Sequence, residues 1–596
     1  MSSGNDRASQ LSEKHYNEHT EQIHPVSGGH HDVVEDENTF EVEEEQLPKG
    51  YFTSPFFIGT MTGICLGLVA GVAGFGFIAP ILGVINADIG PDGNIVWVAL
   101  TYTLTSAVCL TIIGRVTDIF GRRWIFVGGA FLGIIGSIIC AVSTSVNMLI
   151  GGMTVVGIAA STQLSYYYVM GELVPMKWRL AGNAVCYSLL VPLSGFAPVV
   201  SWSFVQDHPS VGWRGSFYVL IGINTASFLC WLCFYFPPTF QMKHGQNASL
   251  LRYIKDFDYV GTVLYTGSLM VLMMGLNWGG GVYPWKSAQV IGSIVSGFVG
   301  LVVFVLWESF ANLKEPLVPM HLFRNGSWLA ATILSGLGAS VYYALAIVWP
   351  SMVAVLYNEG GVMTNAWYSS FVGLWITVGQ VLGGFAAKRL GYIKWQIVVT
   401  VFISGIFFGC TATSTPDSKA RAAAFVAVGT FMIGWAESLA ITVVTLTVWD
   451  QTKLGSASGL AGSIRFFITS IAATVYNVTL TNRLGETIPE RVPAAVVKAG
   501  LPETSVVDFL TALTTGAPFE AIKGISDSII AAGVAAYKEA NAEAYRTVFF
   551  VSIAFSVIAL ICACCLPNVD KLLSGKVAQT LHKGKKDEKR AMQDGV

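Results

Sequence analysis

Two charged residues, Glu437 and Arg465, stand inside long apolar runs, where a charge is costly and marks a site to be explained. Glu437 lies roughly ten residues, or ~15 Å at helical rise, from the nearer end of its run; Arg465 lies roughly eight residues, or ~12 Å, into the next. Similar depths on consecutive helices permit a salt bridge. Two roles are open to the pair: tying two helices together, or binding a proton or ligand through a carboxyl whose charge the guanidinium controls. Gln163, Tyr166, Tyr167 and Gln380 are polar tips in other apolar runs and could line a cavity for an amphipathic molecule. Tyr166, Tyr167 and Tyr168 are consecutive, so at most one or two of them face any one cavity. Asn183 and Asn224 also fall in apolar runs, with interhelical hydrogen bonding the expected role.

A second kind of chemistry is written in a loop. It reads Gly114-Arg-Val-Thr-Asp118-Ile-Phe-Gly121-Arg122-Arg123, with Arg115 beside the first glycine. Gly114 and Gly121 let helix ends and a tight turn approach one another. Asp118 can pair with a cation or cap the N-terminus of another helix. Asp118 and Arg122 are expected to pair across a gap between two halves and gate it. The segment Gly384-Phe-Ala-Ala-Lys388-Arg389-Leu-Gly391 repeats the glycine spacing of seven, 270 residues later.

The elements that must hold these residues are apolar runs long enough to cross roughly 30 Å of hydrocarbon. They fall at about 56–86, 94–114, 123–143, 147–170, 179–205, 213–236, 258–278, 288–307, 326–350, 366–387, 393–413, 421–447, 457–480 and 546–566. Backbone amides in lipid need internal partners, so the spans are helices. Composition agrees: 53% of the 596 residues are hydrophobic and 12% are Asp, Glu, Lys or Arg, half the share of a soluble chain. The motif repeat aligns span two with span ten, which requires two six-helix halves with two extra helices between them. The predicted fold class is therefore an all-α polytopic membrane protein with fourteen transmembrane helices in a 6+2+6 arrangement. The expected domains are a six-helix half over 51–237, linking helices and loops over 238–324, and a second half over 325–567 with a long loop at 481–545. That loop reads as a cap of short helices or a substrate lid, its part Ser526–Arg546 as a helix entering the last span.

Cations gather on alternate loops: Arg115, Arg122 and Arg123; Lys177 and Arg179; Lys243, Arg252 and Lys255; Lys388, Arg389 and Lys394. Short loops rich in Lys and Arg stay in the cytosol, which places both termini there. Residues 1–50, with twelve acidic residues and five histidines, are expected to be a disordered cytosolic tail with no signal peptide, and 568–596 a basic cytosolic tail. All ten cysteines fall in apolar runs and read as reduced; Cys562, Cys564 and Cys565 lie where palmitoylation is conceivable.

The Gly114–Arg123 loop closely resembles the signature loop of the major facilitator superfamily. Gly171-Glu172-Leu-Val-Pro175-Met-Lys177-Trp-Arg179, Gly212-Trp213-Arg214-Gly215-Ser-Phe217-Tyr218, Asp258-Tyr-Val-Gly261 and Asn277-Trp278-Gly279-Gly280 narrow the likeness. Together they resemble the fungal trichothecene-efflux-pump-like group, relatives of the fourteen-span drug:proton antiporters. The resemblance implies the major facilitator fold and proton-coupled export of hydrophobic or amphipathic molecules such as sesquiterpenoid mycotoxins or drugs, from a monomer in the plasma or vacuolar membrane. Siderophore uptake and a non-transporting receptor on the same fold are the alternatives. The sequence departs from those antiporters at three places, the first being their Gly-Pro-rich fifth-span motif, which only Pro192, Gly195 and Pro198 suggest. Gly67–Pro80 contains no acid, and Met153 stands where an arginine is usual. No nucleotide-binding loop, nucleophile–base pair, metal-ligand spacing or nucleic-acid-binding basic stretch occurs, so no enzyme activity, cofactor or nucleic-acid partner is expected.

Overall fold

The computed structural model describes residues 42–579 and 581, except 245–247, 281, 359, 516–517 and 520–521. The expectations for residues 1–41, with their histidines, and for the basic stretch Lys583–Arg590 lie outside the described residues.

The chain is built almost wholly of helices: α1 (Pro55–Gly76), α2 (Val96–Phe120), α3 (Arg123–Ala141), α4 (Val146–Gln163), α5 (Tyr166–Leu173), α6 (Arg179–Ser188), α7 (Ala197–Asp207), α8 (Arg214–Phe234), α9 (Tyr259–Trp278), α10 (Ala288–Phe310), α11 (Gly326–Leu356), α12 (Phe371–Leu390), α13 (Ile393–Thr411), α14 (Lys419–Leu446), α15 (Leu454–Lys498) and α16 (Asp527–Cys565). Local sequence explains their starts. Ser54, Ser145, Ser287 and Asn325 each cap an N-terminus by accepting a backbone amide three residues on. Among the described residues, 13 helical segments are long and apolar enough to cross a membrane. The fifth expected span is not one continuous helix. Pro192 and Pro198 each remove a backbone donor, and α6 and α7 are separated by a π-helical turn at Val191–Gly195.

Helices α1–α8 pack among themselves, as do α11–α16, and the α2–α15 and α6–α12 seams join the two groups. Glycines set these distances. A Cβ on Gly114 of α2 would lie 2.3 Å from the Gly455 carbonyl and 3.0 Å from Gly459 Cα on α15, so the backbones touch. Helix α9 rests on α2 and α15, and α10 lies against α9. Only 17% of α10's most apolar window is buried inside the protein, which leaves most of its surface for lipid.

The expected loop at 481–545 is largely helical. Helices α15 and α16 run on well past the length needed to span a bilayer, and Val492, Val496, Phe509 and Ile529 form a separate small core there with the helix Val506–Thr515. Arg483 and Arg491 both bind Glu543, at 2.9 and 2.6 Å, and fasten the two extensions. The first expected tail is ordered at its end: β1 (Val42–Glu43) pairs antiparallel with β2 (Lys576–Val577), and Glu44 forms an ion pair with Lys177.

Candidate functional site

Glu437 is 2% exposed on α14, and its two oxygens are held by different helices. One pairs with the Arg465 guanidinium of α15; the other accepts from Gln380 Nε2 of α12 at 3.0 Å. Helix α11 closes over the acid at Gly338, where a Cβ would stand 3.0 Å from the Glu437 side chain. The Nε of Arg465 makes no hydrogen bond, which leaves one donor of the guanidinium for another acceptor.

These three side chains line a cavity of about 40 Å³ together with Tyr166, Tyr187, Tyr342, Tyr343 and an aliphatic wall of Leu68, Val72, Leu164, Leu190 and Ile376. Tyr166 donates to the Tyr187 hydroxyl at 2.6 Å. A volume this small holds water and not a drug-sized ligand, whose pockets run to roughly 300–1,000 Å³. The described form is therefore closed around its centre. Rings of Phe75 and Tyr343, 5.1 Å apart, and of Phe196 and Trp367, 5.5 Å apart, join the two helix groups on the side away from the Gly114–Arg123 loop. On the outer surface of α1 and α6, an apolar groove of about 420 Å³ is lined by Met61, Cys65, Val185 and Leu189.

At the opposite end the loop residues make a second cluster. Asp118 Oδ2 accepts from the Ser456 amide at 2.6 Å and its hydroxyl at 2.7 Å, in the first turn of α15. Arg122 is 1% exposed, bonds Asp118 Oδ1 at 2.9 Å, pairs with Glu172 and lies over the Tyr168 ring. Burial alone would favour the neutral guanidinium, but Glu172 and Asp118 outweigh it and hold Arg122 above its already high range. Burial, with Arg122 nearby, holds the Lys243 ammonium below the usual lysine range. Arg115 reaches Glu315 at 2.5 Å; Arg123 donates to the Leu232 carbonyl; Gly121 turns the chain at φ 92°. Arg179 crosses to the other group of helices, donating to the Thr445 carbonyl at 3.1 Å and Gln451 at 2.9 Å.

A model of the fungal trichothecene efflux pump (TRI12) family matches residues 32–595. The chain belongs to that family. It is similar to the Trichothecene efflux pump TRI12 of Trichoderma arundinaceum, 29% identical over 91% of each chain. It also resembles the MFS-type transporter prx5 of Penicillium rubens, 31% identical over 74% of this chain and 80% of that one. The human organic anion transporter MFSD10 superposes with a TM-score of 0.48 at 11% identity, over 84% of this chain and all of that one. As a member of the TRI12 family, the protein is a multi-pass membrane transporter of the major facilitator superfamily.

Of the cavity residues read from the sequence of this TRI12-family chain, Tyr166 and Gln380 line the central space with Glu437 and Arg465. Gln163 and Tyr167 do not. Gln163 donates to Asn224 of α8 at 2.6 Å, inside the first group of helices, and the Tyr167 hydroxyl turns to the Ser458 carbonyl of α15. Helical geometry sends the three tyrosines three ways, with Tyr168 meeting Thr117 and Arg122. Asn183 donates across the seam to the Ser438 carbonyl. Of the two roles read for Asp118, it caps a helix N-terminus across the gap, at Ser456; the expected crossing by Arg122 is corrected, since it bonds Asp118 and Glu172 on its own side. Sequence reasoning missed Tyr187, Tyr342 and Tyr343. Adjacent tyrosines in the otherwise apolar α11 were the available signal for the last two. It also missed Ser456, although the run Gly455, Gly459 and Gly462 marks that helix face as a close contact.

Proposed function

We propose that this chain is a proton-coupled exporter of hydrophobic or amphipathic small molecules, with a sesquiterpenoid mycotoxin or xenobiotic as the substrate class. The observation that carries the reading is Glu437, a buried carboxyl fastened to Arg465 and Gln380 at the edge of a closed central cavity. An antiporter needs a buried group that changes charge in each cycle, and it needs substrate and proton to compete for the same place. Arg465 is the cation that balances the Glu437 charge. A substrate acceptor that draws Arg465 away would leave the carboxyl to take up a proton, and protonation frees Arg465 in turn. The tyrosine hydroxyls over an aliphatic wall suit a ligand with a few oxygens on an apolar skeleton. The apolar groove on α1 and α6 offers such a ligand a way in from the bilayer.

In the same reading the broken segment α6–α7 counts as a span, which completes fourteen helices as 6+2+6, with α9 and α10 the added pair. The cation-rich loops face the cytosol, both termini with them, and a monomer in the plasma membrane is the working unit. Asp118, Arg122 and Glu172 form the cytosolic gate. Deleting the gene and comparing toxin sensitivity with siderophore uptake tests direction and substrate together. Greater sensitivity to apolar toxins with normal siderophore uptake is the expected result. Reduced siderophore uptake with unchanged toxin sensitivity would replace export by import.

A further inference from the structure

Away from the central cavity, a second pair of buried acids joins the two helices α9 and α10. Asp258 precedes α9 and is 5% exposed; Glu308 lies in the last turn of α10 and is 8% exposed. One oxygen of each is accounted for. Asp258 Oδ1 accepts from the Gly261 amide at 2.8 Å and Trp307 Nε1 at 3.1 Å; Glu308 Oε1 accepts from the Val318 amide at 3.1 Å. The remaining oxygens, Asp258 Oδ2 and Glu308 Oε2, have no partner, and the two acids share one junction, since Trp307, whose indole binds Asp258, immediately precedes Glu308.

Three cations of the neighbouring elements are used elsewhere. Arg115 of α2 holds Glu315; Lys314 holds Asp256 at 3.2 Å, and Arg252 lies 3.6 Å from the same acid. The face that α15 turns to α9 meets it through the uncharged Thr111–Ser463–Tyr265 hydroxyl group. Two buried carboxylates at one junction repel each other when no cation stands between them. A proton between them satisfies both orphan oxygens at once.

The pair is also wired to the loop end of α2. The segment 311–318 leaves α10 and is tied at Asp256 through Lys314, at Phe257 through a backbone bridge from Glu315, at Arg115 through the Glu315 carboxylate, and at Glu308 through the Val318 amide. We propose that Asp258 and Glu308 form a second proton-binding site, which holds one exchangeable proton and, while occupied, locks this strap against the Gly114–Arg123 loop. Loss of the proton sets two like charges against each other at the α9–α10 junction, loosens the strap and weakens the hold of Glu315 on Arg115. The site does not depend on Glu437 being the coupling acid.

The test uses the purified full chain in lipid vesicles and dicyclohexylcarbodiimide, which adds to protonated carboxyls in apolar surroundings, with the adduct located by mass spectrometry. Wild-type protein should be labelled on Glu308 or Asp258, and labelling should fall about tenfold for each pH unit above the pair's titration. Glu437→Gln should leave that labelling unchanged. Glu308→Gln keeps the neutral shape and should flatten the pH profile of transport on its alkaline side while transport persists. Absence of adduct at both acids in wild type would overturn the site, whether or not any variant folds. Labelling independent of pH would overturn the exchangeable proton. Protection by sodium or magnesium at fixed pH would assign the pair to a metal cation and overturn the proposal as well.

Discussion

The Asp118 carboxylate accepts both the amide and the hydroxyl of Ser456, a residue 338 positions later in the chain, at 2.6 and 2.7 Å. Ser456 lies in the first turn of α15, so the anion sits on the positive end of a helix that belongs to the other group. Arg122, itself paired with Glu172, holds that anion in place from its own side. This carboxylate is one of the contacts that join the two groups at the loop end, beside Arg179 to Thr445 and Gln451.

Asp118→Asn keeps the shape and removes the charge. Charge-assisted hydrogen bonds are worth about 1.5–3 kcal/mol against about 1 for neutral ones, so the closed state should lose about 1–2 kcal/mol. That is roughly a tenfold shift in population. In a background without the ten native cysteines, a reporter at Thr377→Cys in the central cavity should become about tenfold more accessible to thiol reagents added at the loop end. Unchanged accessibility with unchanged flux would reduce Asp118 to a loop residue.

Gly114→Ala should act in the same direction and more strongly, because its Cβ would meet the Gly455 carbonyl oxygen at 2.3 Å and backbone cannot swing aside. Transport should fall to background while the protein still reaches the membrane. Gly485→Ala, on the extension of α15 with open space around it, is the control and should transport normally. Normal transport by Gly114→Ala would show that the α2–α15 contact is not a gate.

Arg465→Gln should be the least stable of the central variants, since it leaves the Glu437 charge buried with only Gln380 beside it. Breaking one partner of a buried pair costs about 3–5 kcal/mol. Expression should drop sharply and recover when Glu437→Gln is added. Recovery of folding without recovery of uphill transport separates coupling from scaffolding. Full recovery of both would make the pair structural.

Orientation is tested with tags. An epitope after Met1, one within residues 238–256 and one after Val596 should be shielded in intact cells, and one near Glu503 should be accessible. The reverse pattern would invert the assignment of the cation-rich loops to the cytosol.

The helices themselves were legible because a membrane span announces itself by length and apolarity, and the rarity of charge within spans singled out Glu437 and Arg465. What the sequence hid has physical reasons. Pro192 and Pro198 sit in a run apolar enough to read as one helix, and only backbone hydrogen bonding reveals the π turn between α6 and α7. Residues 481–498 carry Pro489, Pro493 and several charges, so they read as loop. They remain helical because Val492 and Val496 pack on Phe509 and Arg483 and Arg491 are tied to Glu543. Tyr342, Tyr343 and Ser456 could not be placed because their partners come from distant segments. The direction in which Gln163 and Tyr167 point depends on how α4 and α5 rotate against α8 and α15, which periodicity alone does not determine.

The central claim, that Glu437 carries the proton exchanged for substrate, is tested most directly in proteoliposomes with an imposed pH gradient. Wild-type protein should accumulate an apolar toxin against its concentration gradient when the pH gradient is applied, and should stop when the gradient is collapsed. Glu437→Gln, which keeps the hydrogen-bonding shape beside Gln380 and Arg465 but cannot titrate, should lose that accumulation and still exchange labelled for unlabelled toxin down its own gradient. Glu437→Asp should retain part of the uphill transport. Uphill accumulation by Glu437→Gln with the pH dependence of the wild type would contradict the account.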